Sequence, residues 1–211
     1  MTLSPRIRTV LFWVSLGGFA GISLWWIFSV PYREGEVLRG IPAEAVFVSW
    51  HRCPLDREDR LLSNVWVRAA FRRYGADPSA LVAAISTGDG AIWKERLARR
   101  EMATAYVPAL RSSGAPAWFF SFWAGGYSQR LRWLLELKGR ALTRSISAEP
   151  GRAIWVFSNV TALPPGWYLS VAVREGLVLA ALSPDPSAVR HALLAAENTP
   201  YWSNVRRAGA E

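Results

Sequence analysis

The spacing of apolar and polar residues changes several times along the chain, and the first change is the sharpest. Residues 9–30 form an uncharged, almost wholly apolar stretch of 22 residues. As a helix it would be about 33 Å long, which matches the hydrocarbon core of a bilayer. The stretch ends in Trp25 and Trp26, where a signal peptidase requires small residues and where interfacial aromatic residues are typical of a span. The pattern therefore predicts a retained membrane anchor over residues 9–30.

Two later segments repeat apolar residues at the spacing of a helix. The first is Asp56–Tyr74, and its polar face carries four arginines that are candidates for contact with an anionic surface: Arg57, Arg60, Arg68 and Arg72. The second is Tyr127–Lys138, which Gly139 is expected to end. Shorter helices are predicted over residues 78–85 and 91–100, on either side of a loop at 86–90.

Segments rich in β-branched and aromatic residues, bounded by proline and glycine, predict strands. They cover residues 45–52, 102–110, 117–124, 141–147 and 153–160. The strongest local signal is the alternating pair Trp167–Arg174 and Leu177–Leu182, joined by the tight turn Glu175-Gly176. A helix over Ala188–Ala196 should follow. Short turns between strands favour an α+β fold with a mainly antiparallel sheet.

These elements divide the chain into a tail at 1–8, a transmembrane helix at 9–30, a linker at 31–45 and one α+β domain at 46–211. The tail carries arginines and no acid, so the positive-inside rule predicts that the tail is cytoplasmic and the domain extracytoplasmic. Within the span, Gly17 and Gly21 form a small-xxx-small pair that would let a second helix approach closely.

Composition adds a charge of +9, which favours anionic partners such as lipid headgroups. The single cysteine, Cys53, excludes an intrachain disulfide. The twelve tryptophans include Trp118, Trp123 and Trp155 within apolar runs. That placement indicates core packing rather than stacking on bases, so no nucleic-acid partner is predicted.

Candidate chemistry is sparse. His51 and Cys53 share one face of a predicted strand, but His191 is the only other histidine, too few ligands for a zinc site. The sequence contains no nucleophile elbow, phosphate-binding loop or dinucleotide fingerprint. We therefore predict no catalytic residues, metal or cofactor, and rank an enzyme third among the functional hypotheses.

Two stretches after the apolar segment carry a resemblance: IPAEAVFVSW at residues 41–50 and WYLSVAVREGLVLAALSPDPSAVRHALLAA at 167–196. With the anchor, the pattern resembles uncharacterised bacterial envelope proteins of domain-of-unknown-function type. The resemblance implies a membrane-tethered extracytoplasmic domain and transfers no functional residues. The leading hypothesis is a single-pass, non-catalytic accessory subunit of an inner-membrane or envelope complex, partnered by other membrane proteins. The alternative is a module that binds a lipid or another apolar or anionic envelope ligand.

Overall fold

The computed structural model describes residues 5–52, 65, 68–69, 72, 95–97, 99–142, 144–149, 152–157 and 163–198. The helices within these ranges are α1 (Pro5–Phe28), a 3-10 helix (Glu36–Gly40), α2 (Tyr127–Leu142) and α3 (Val189–Glu197). The strands are β1 (Phe47–Arg52), β2 (Glu101–Val107), β3 (Ala117–Trp123), β4 (Arg144–Glu149), β5 (Arg152–Phe157), β6 (Tyr168–Arg174) and β7 (Leu177–Ser183). The α+β class predicted from the sequence is confirmed.

The seven described strands form one antiparallel sheet in the order β1-β2-β3-β7-β6-β5-β4. The last described strand, β7, lies at the centre, where it joins the group β1–β3 to the group β4–β6. Almost every residue of β7 is buried. A strand covered on both faces needs apolar side chains at successive positions, which explains the run Leu177–Leu182.

One face of the sheet, called here the inner face, carries the main core. On β2 and β3 buried positions alternate with half-buried ones, as expected when each strand turns every second side chain to one face. Phe119 is fully buried, and its partners on the neighbouring strands are Ala105 and Ala181. A large ring therefore lies between two methyl groups, which fills the layer without crowding.

The segment predicted as a linker, residues 31–45, instead contributes several side chains to this core. Val37, Leu38 and Ile41 are almost fully buried and pack with α3 against the inner face. The charged residues that flank Val37 and Leu38, Glu36 and Arg39, form an ion pair with each other. Because the two charges are paired with each other, the 3-10 helix can pack its apolar side chains against the sheet without burying an unpaired charge.

The helix α2 differs from its prediction at one end. It continues through Gly139 to Leu142, and β4 begins at Arg144 rather than at residue 141. A glycine inside a helix costs only about 1 kcal/mol, and the packing of α2 against β4, β5 and β6 outweighs that preference. Leu131 on α2 and Trp155 on β5 are both buried, outside the inner-face core.

The β6–β7 hairpin forms as predicted. Glu175 and Gly176 have φ angles of 46° and 86°, and two successive left-handed residues are the geometry of a type I′ turn. The β4–β5 pairing is also confirmed. Of the predicted helix at 56–74, the described residues are Val65, Arg68, Ala69 and Arg72, all helical. The predicted helix at 78–85 and loop at 86–90 lie outside the described residues.

The helix α1 confirms the helical prediction for the apolar stretch. Every side chain from Thr9 to Ile22 is exposed, and Phe12, Trp13 and Phe19 are exposed by 61%, 63% and 71%. None of the closely packed element pairs of the described fold includes α1. In the part of the chain that the structure describes, no helix combines the length and the apolarity needed to cross a membrane.

Gly40 provides a test of the packing between the 3-10 helix and the sheet. A Cβ atom at this position would lie 2.3 Å from Leu179 Cδ2 and 2.8 Å from Ser121 Oγ. Both neighbours are fully buried, so neither can move without disturbing the core. We expect Gly40→Ala to lower the free energy of unfolding by about 1–3 kcal/mol, measured by urea denaturation of the full chain in detergent.

Gly18→Ala is the matched control, because a Cβ atom at Gly18 meets nothing within 4 Å. It should leave the unfolding midpoint of the domain unchanged. Equal midpoints for the two variants would show that the 3-10 helix is not packed as described.

Candidate functional site

An open pocket of about 470 Å³ lies where the chain leaves α1. Three parts of the chain form it: the residues after α1, the residues before β2, and the loop between β3 and α2. The side chains that determine its chemistry are Val30, Arg96, Arg99, Arg100, Trp123 and Tyr127. It is called here the basic pocket.

The apolar wall of the basic pocket is fixed by the β6–β7 turn. The amides of Ala124 and Gly125 both donate to the carbonyl oxygen of Gly176 at 2.9 Å, which anchors the end of β3. A Cβ atom at Gly176 would lie 2.9 Å from Val30 and 3.1 Å from the Trp123 ring. Only glycine permits this approach, and Val30 and Trp123 therefore pack around the turn.

The polar wall consists of three exposed arginines. The guanidinium of Arg96 lies 4.6 Å from the ring centre of Tyr127, and that of Arg100 lies 5.3 Å from the ring centre of Tyr32. Such cation–π contacts orient the guanidinium groups while leaving their N–H donors available. Among the described residues, no carboxylate forms an ion pair with Arg96, Arg99 or Arg100. Glu95 also lines the pocket, so the arrangement keeps an excess of positive charge.

A buried carboxylate supports the pocket from behind. Glu101 is 1% exposed, and its Oε2 accepts a hydrogen bond from the amide of Gly35 at 3.1 Å. It also hydrogen-bonds the side chain of Tyr32, whose ring meets Trp123 edge-on with the centroids 5.6 Å apart. Since Glu101 is the first residue of β2, these contacts connect the segment after α1 to the start of that strand.

This environment changes the acidity of Tyr32. Burial, followed by the hydrogen bond and the negative charge of Glu101, raises the pKa of Tyr32 to about 12, and the positive charges of Arg52 and Arg100 oppose the shift. Although Tyr32 as a residue is 42% exposed, its hydroxyl group faces a buried carboxylate, and a phenolate there would place two negative charges side by side.

The arginines chosen from the sequence are not those of the basic pocket. Arg68 and Arg72 are exposed residues in helical conformation and do not line it, while Arg57 and Arg60 lie outside the described residues. The signal for the pocket was present in the stretch KERLARR at residues 94–100. Gly17, Gly21 and Trp25 are exposed on α1, and Trp26 lies in the same helix.

A second cluster has the order of groups found in serine hydrolases. Ser112 Oγ lies 2.9 Å from His191 Nε2, and His191 Nδ1 lies 3.4 Å from Glu44 Oε1. The amides of Ser113 and Gly114 both donate to the carbonyl oxygen of Leu110. An oxyanion hole needs free amides beside the nucleophile, and these are occupied.

The same hydrogen bonds give this cluster a structural role, since they join the turn at 110–114 to α3. Neighbouring Asp185 accepts hydrogen bonds from the amide and hydroxyl of Ser187 at 2.8 and 2.7 Å. Burial alone would raise the pKa of Asp185, but these bonds, one from Ser113 and the charge of His191 hold it below its ordinary value.

The other histidine belongs to a separate contact. His51 Nε2 lies 2.6 Å from Ser49 Oγ on the edge strand β1, and Cys53 lies outside the described residues. No group of three His, Cys, Asp or Glu side chains within those residues is arranged to hold a metal ion.

The acidity of Tyr32 can be measured directly. Its pKa rises from 10.0 to about 12 on folding, so the unfolded chain releases this proton first. The free energy of unfolding is therefore unaffected below pH 10 and falls as the pH rises from about 10 to 12. We expect the difference in phenolate absorbance between wild type and Tyr32→Phe to show a step near pH 12.

Glu101→Gln provides the comparison, because it retains the side-chain shape and removes the charge. It should lower the pKa of Tyr32 but leave it above 10, since burial is the largest cause. A step near pH 10 in the folded wild type would contradict the contact between Tyr32 and Glu101.

Comparisons with known proteins assign no role to the basic pocket. No protein-family model, curated protein or solved structure matched the chain. The resemblance to bacterial envelope proteins at residues 41–50 and 167–196 therefore stays a prediction.

Proposed function

We propose that this protein is a single-pass, membrane-anchored, non-catalytic accessory subunit of an inner-membrane or cell-envelope complex. The observation that carries the proposal is the exposure of apolar side chains on every side of α1 between Val10 and Ile22. A helix that works in water has a polar face, whereas one that is apolar on all sides requires a lipid or protein cover.

The length of the apolar stretch favours lipid as the main cover. The uncharged sequence runs from Thr9 to Val30, and α1 ends at Phe28, so the length available to a bilayer is that of residues 9–28. That length agrees with the roughly 20 residues that a span requires. Trp25, which is 67% exposed, would lie at the membrane–water interface. There its apolar ring can contact lipid chains while its indole N–H hydrogen-bonds water or headgroups.

The proposed partners are other membrane-protein subunits. Cβ atoms placed at Gly17 and Gly21 meet nothing within 4 Å, so this strip of α1 is open to another helix. In a bilayer, helices associate by close packing over small residues rather than by the hydrophobic effect. The lack of a side chain at both positions would allow a partner helix to approach the backbone.

The proposed orientation places the amino terminus in the cytoplasm and the α+β domain outside. The tail carries Arg6 and Arg8 without an acid, while Arg33 and Arg39 follow the stretch together with Glu34 and Glu36. The difference in basic residues is small, but long domains are translocated largely regardless of charge.

A second candidate function, a module that binds an anionic envelope ligand, is favoured by the basic pocket. Its three arginines, which form no ion pair within the part of the chain that the structure describes, lie beside apolar side chains and provide a positively charged site. The two functions are compatible, because an accessory subunit can recognise the lipid around its partners.

The anchor and its orientation are tested together in bacterial cells that express the full chain. We expect the protein to remain in the membrane fraction after alkaline carbonate extraction, because residues 9–30 bury their side chains in lipid. Protease added to intact spheroplasts should degrade the domain and leave cytoplasmic marker proteins intact. Release into the carbonate supernatant would exclude the anchor, and a domain protected until lysis would reverse the orientation.

The glycine strip is tested by a membrane two-hybrid assay with the full chain as bait. Gly17→Ile plus Gly21→Ile should abolish most of the interaction signal from membrane proteins that pack a helix against α1. The branched side chains would hold the two helix backbones apart. Ser15→Ile plus Ser23→Ile is the matched control, since these residues lie near the opposite side of α1. Equal signals from both double variants would rule out association through Gly17 and Gly21.

A further inference from the structure

We propose that the basic pocket binds the phosphate group of an anionic lipid headgroup from the bilayer that holds α1. The inference rests on the membrane anchoring proposed above and assigns a ligand class to the pocket. Two features of the pocket carry it: its distance from the end of α1, and the excess of positive charge that its three arginines provide.

The first feature is depth relative to the membrane. Ser29 and Val30 line the pocket, and they are the two residues that follow Phe28, the last residue of α1. An extended chain of two residues covers at most about 7 Å. The headgroup layer on each side of a bilayer is about 5–8 Å thick, so a pocket at this distance lies at the depth of lipid phosphates.

The second feature is the donor set. Three arginines line the pocket, and the guanidinium group of an arginine offers a planar fork of N–H donors that matches two oxygens of a phosphate. Arg96 and Arg100 are already held against tyrosine rings, which lowers the entropy that binding must remove. None of the three arginines forms an ion pair with a carboxylate of the described residues, so a phosphate would not have to break such a pair.

The start of α2 adds positive potential to the same wall. Gly125, Gly126 and Tyr127 line the pocket at the amino-terminal end of this 16-residue helix, the end that attracts anions. Ser128 in the first turn is fully buried, and its hydroxyl has no hydrogen-bond partner within the described chain. A ligand oxygen would supply that partner if the ligand reached the turn.

The opposite wall distinguishes a lipid from a soluble phosphate. Val30 and Trp123 line the pocket with apolar side chains that pack around the β6–β7 turn, and Val30 is the second residue after α1. In a diacylglycerol phosphate, the phosphate group is joined to apolar acyl chains that extend into the bilayer. The phosphate can therefore contact the arginines, while the adjoining carbons contact Val30 and Trp123. Inorganic phosphate would use only the arginines.

Native mass spectrometry of the full chain in detergent tests the proposal. The protein is titrated with phosphatidylglycerol or phosphatidylcholine, and bound lipid is counted. We expect one phosphatidylglycerol bound at least tenfold more tightly than phosphatidylcholine. Arg96→Gln plus Arg100→Gln should weaken phosphatidylglycerol binding about 25-fold, since each arginine near a lipid surface contributes about fivefold.

Arg111→Gln plus Arg190→Gln is the matched control. Both residues are exposed and lie outside the basic pocket. The control variant loses two positive charges, as many as the pocket variant. Its affinity for phosphatidylglycerol should change by less than fivefold. Equal thermal unfolding midpoints of the two variants would establish that the difference between them is not one of folding.

Glycerol phosphate in a parallel titration separates the two sources of phosphate. If glycerol phosphate binds as tightly as phosphatidylglycerol, the ligand is a soluble phosphate and the lipid assignment is overturned. Equal losses in the pocket and control variants would overturn the pocket itself. Both failures are distinct from failure of the anchor, which appears as release from membranes by carbonate whatever the lipid preference.

Discussion

The contact between the 3-10 helix and the centre of the sheet determines where α1 leaves the domain. Gly40 lies directly against Leu179 and Ser121, and this approach brings the preceding residues across the inner face. The carboxylate of Glu101 then holds Gly35 and Tyr32. The path from Val30 to Ile41 is thus fixed at several points, and the basic pocket forms where that path meets β3 and the residues before β2.

Local signals were sufficient for the elements whose geometry is decided within a few residues. Glu175 and Gly176 adopt left-handed angles in the β6–β7 turn, and the alternation around them predicted both strands. The helix α1 followed from its uninterrupted apolarity. No local sequence pattern, however, predicts that β7 pairs with β3. The two strands are more than 50 residues apart in sequence, and their pairing depends on how their side chains fill one shared layer of the core.

Other differences arose where tertiary packing overrides local preference. Residues 31–45 have the glycine, proline and charge of a linker, but Glu36 and Arg39 neutralise each other and leave the intervening side chains to the core. The sequence does not predict the basic pocket, because the pocket too depends on tertiary packing. Arg96 and Arg100 were visible as charges, whereas the tyrosines that orient them and the wall at Trp123 come from distant positions. The helical spacing of residues 56–74 instead predicts an anionic contact at Arg57, Arg60, Arg68 and Arg72.

The arrangement of Phe119 between Ala105 and Ala181 has a consequence for how such a chain can evolve. The three positions share one fixed volume in the middle of the sheet. A larger residue on either neighbouring strand would require a smaller one at position 119, since a packed layer tolerates little excess. Substitutions there should be inherited as compensating sets, so correlated changes at 105, 119 and 181 would mark distant homologues even after the surface has diverged.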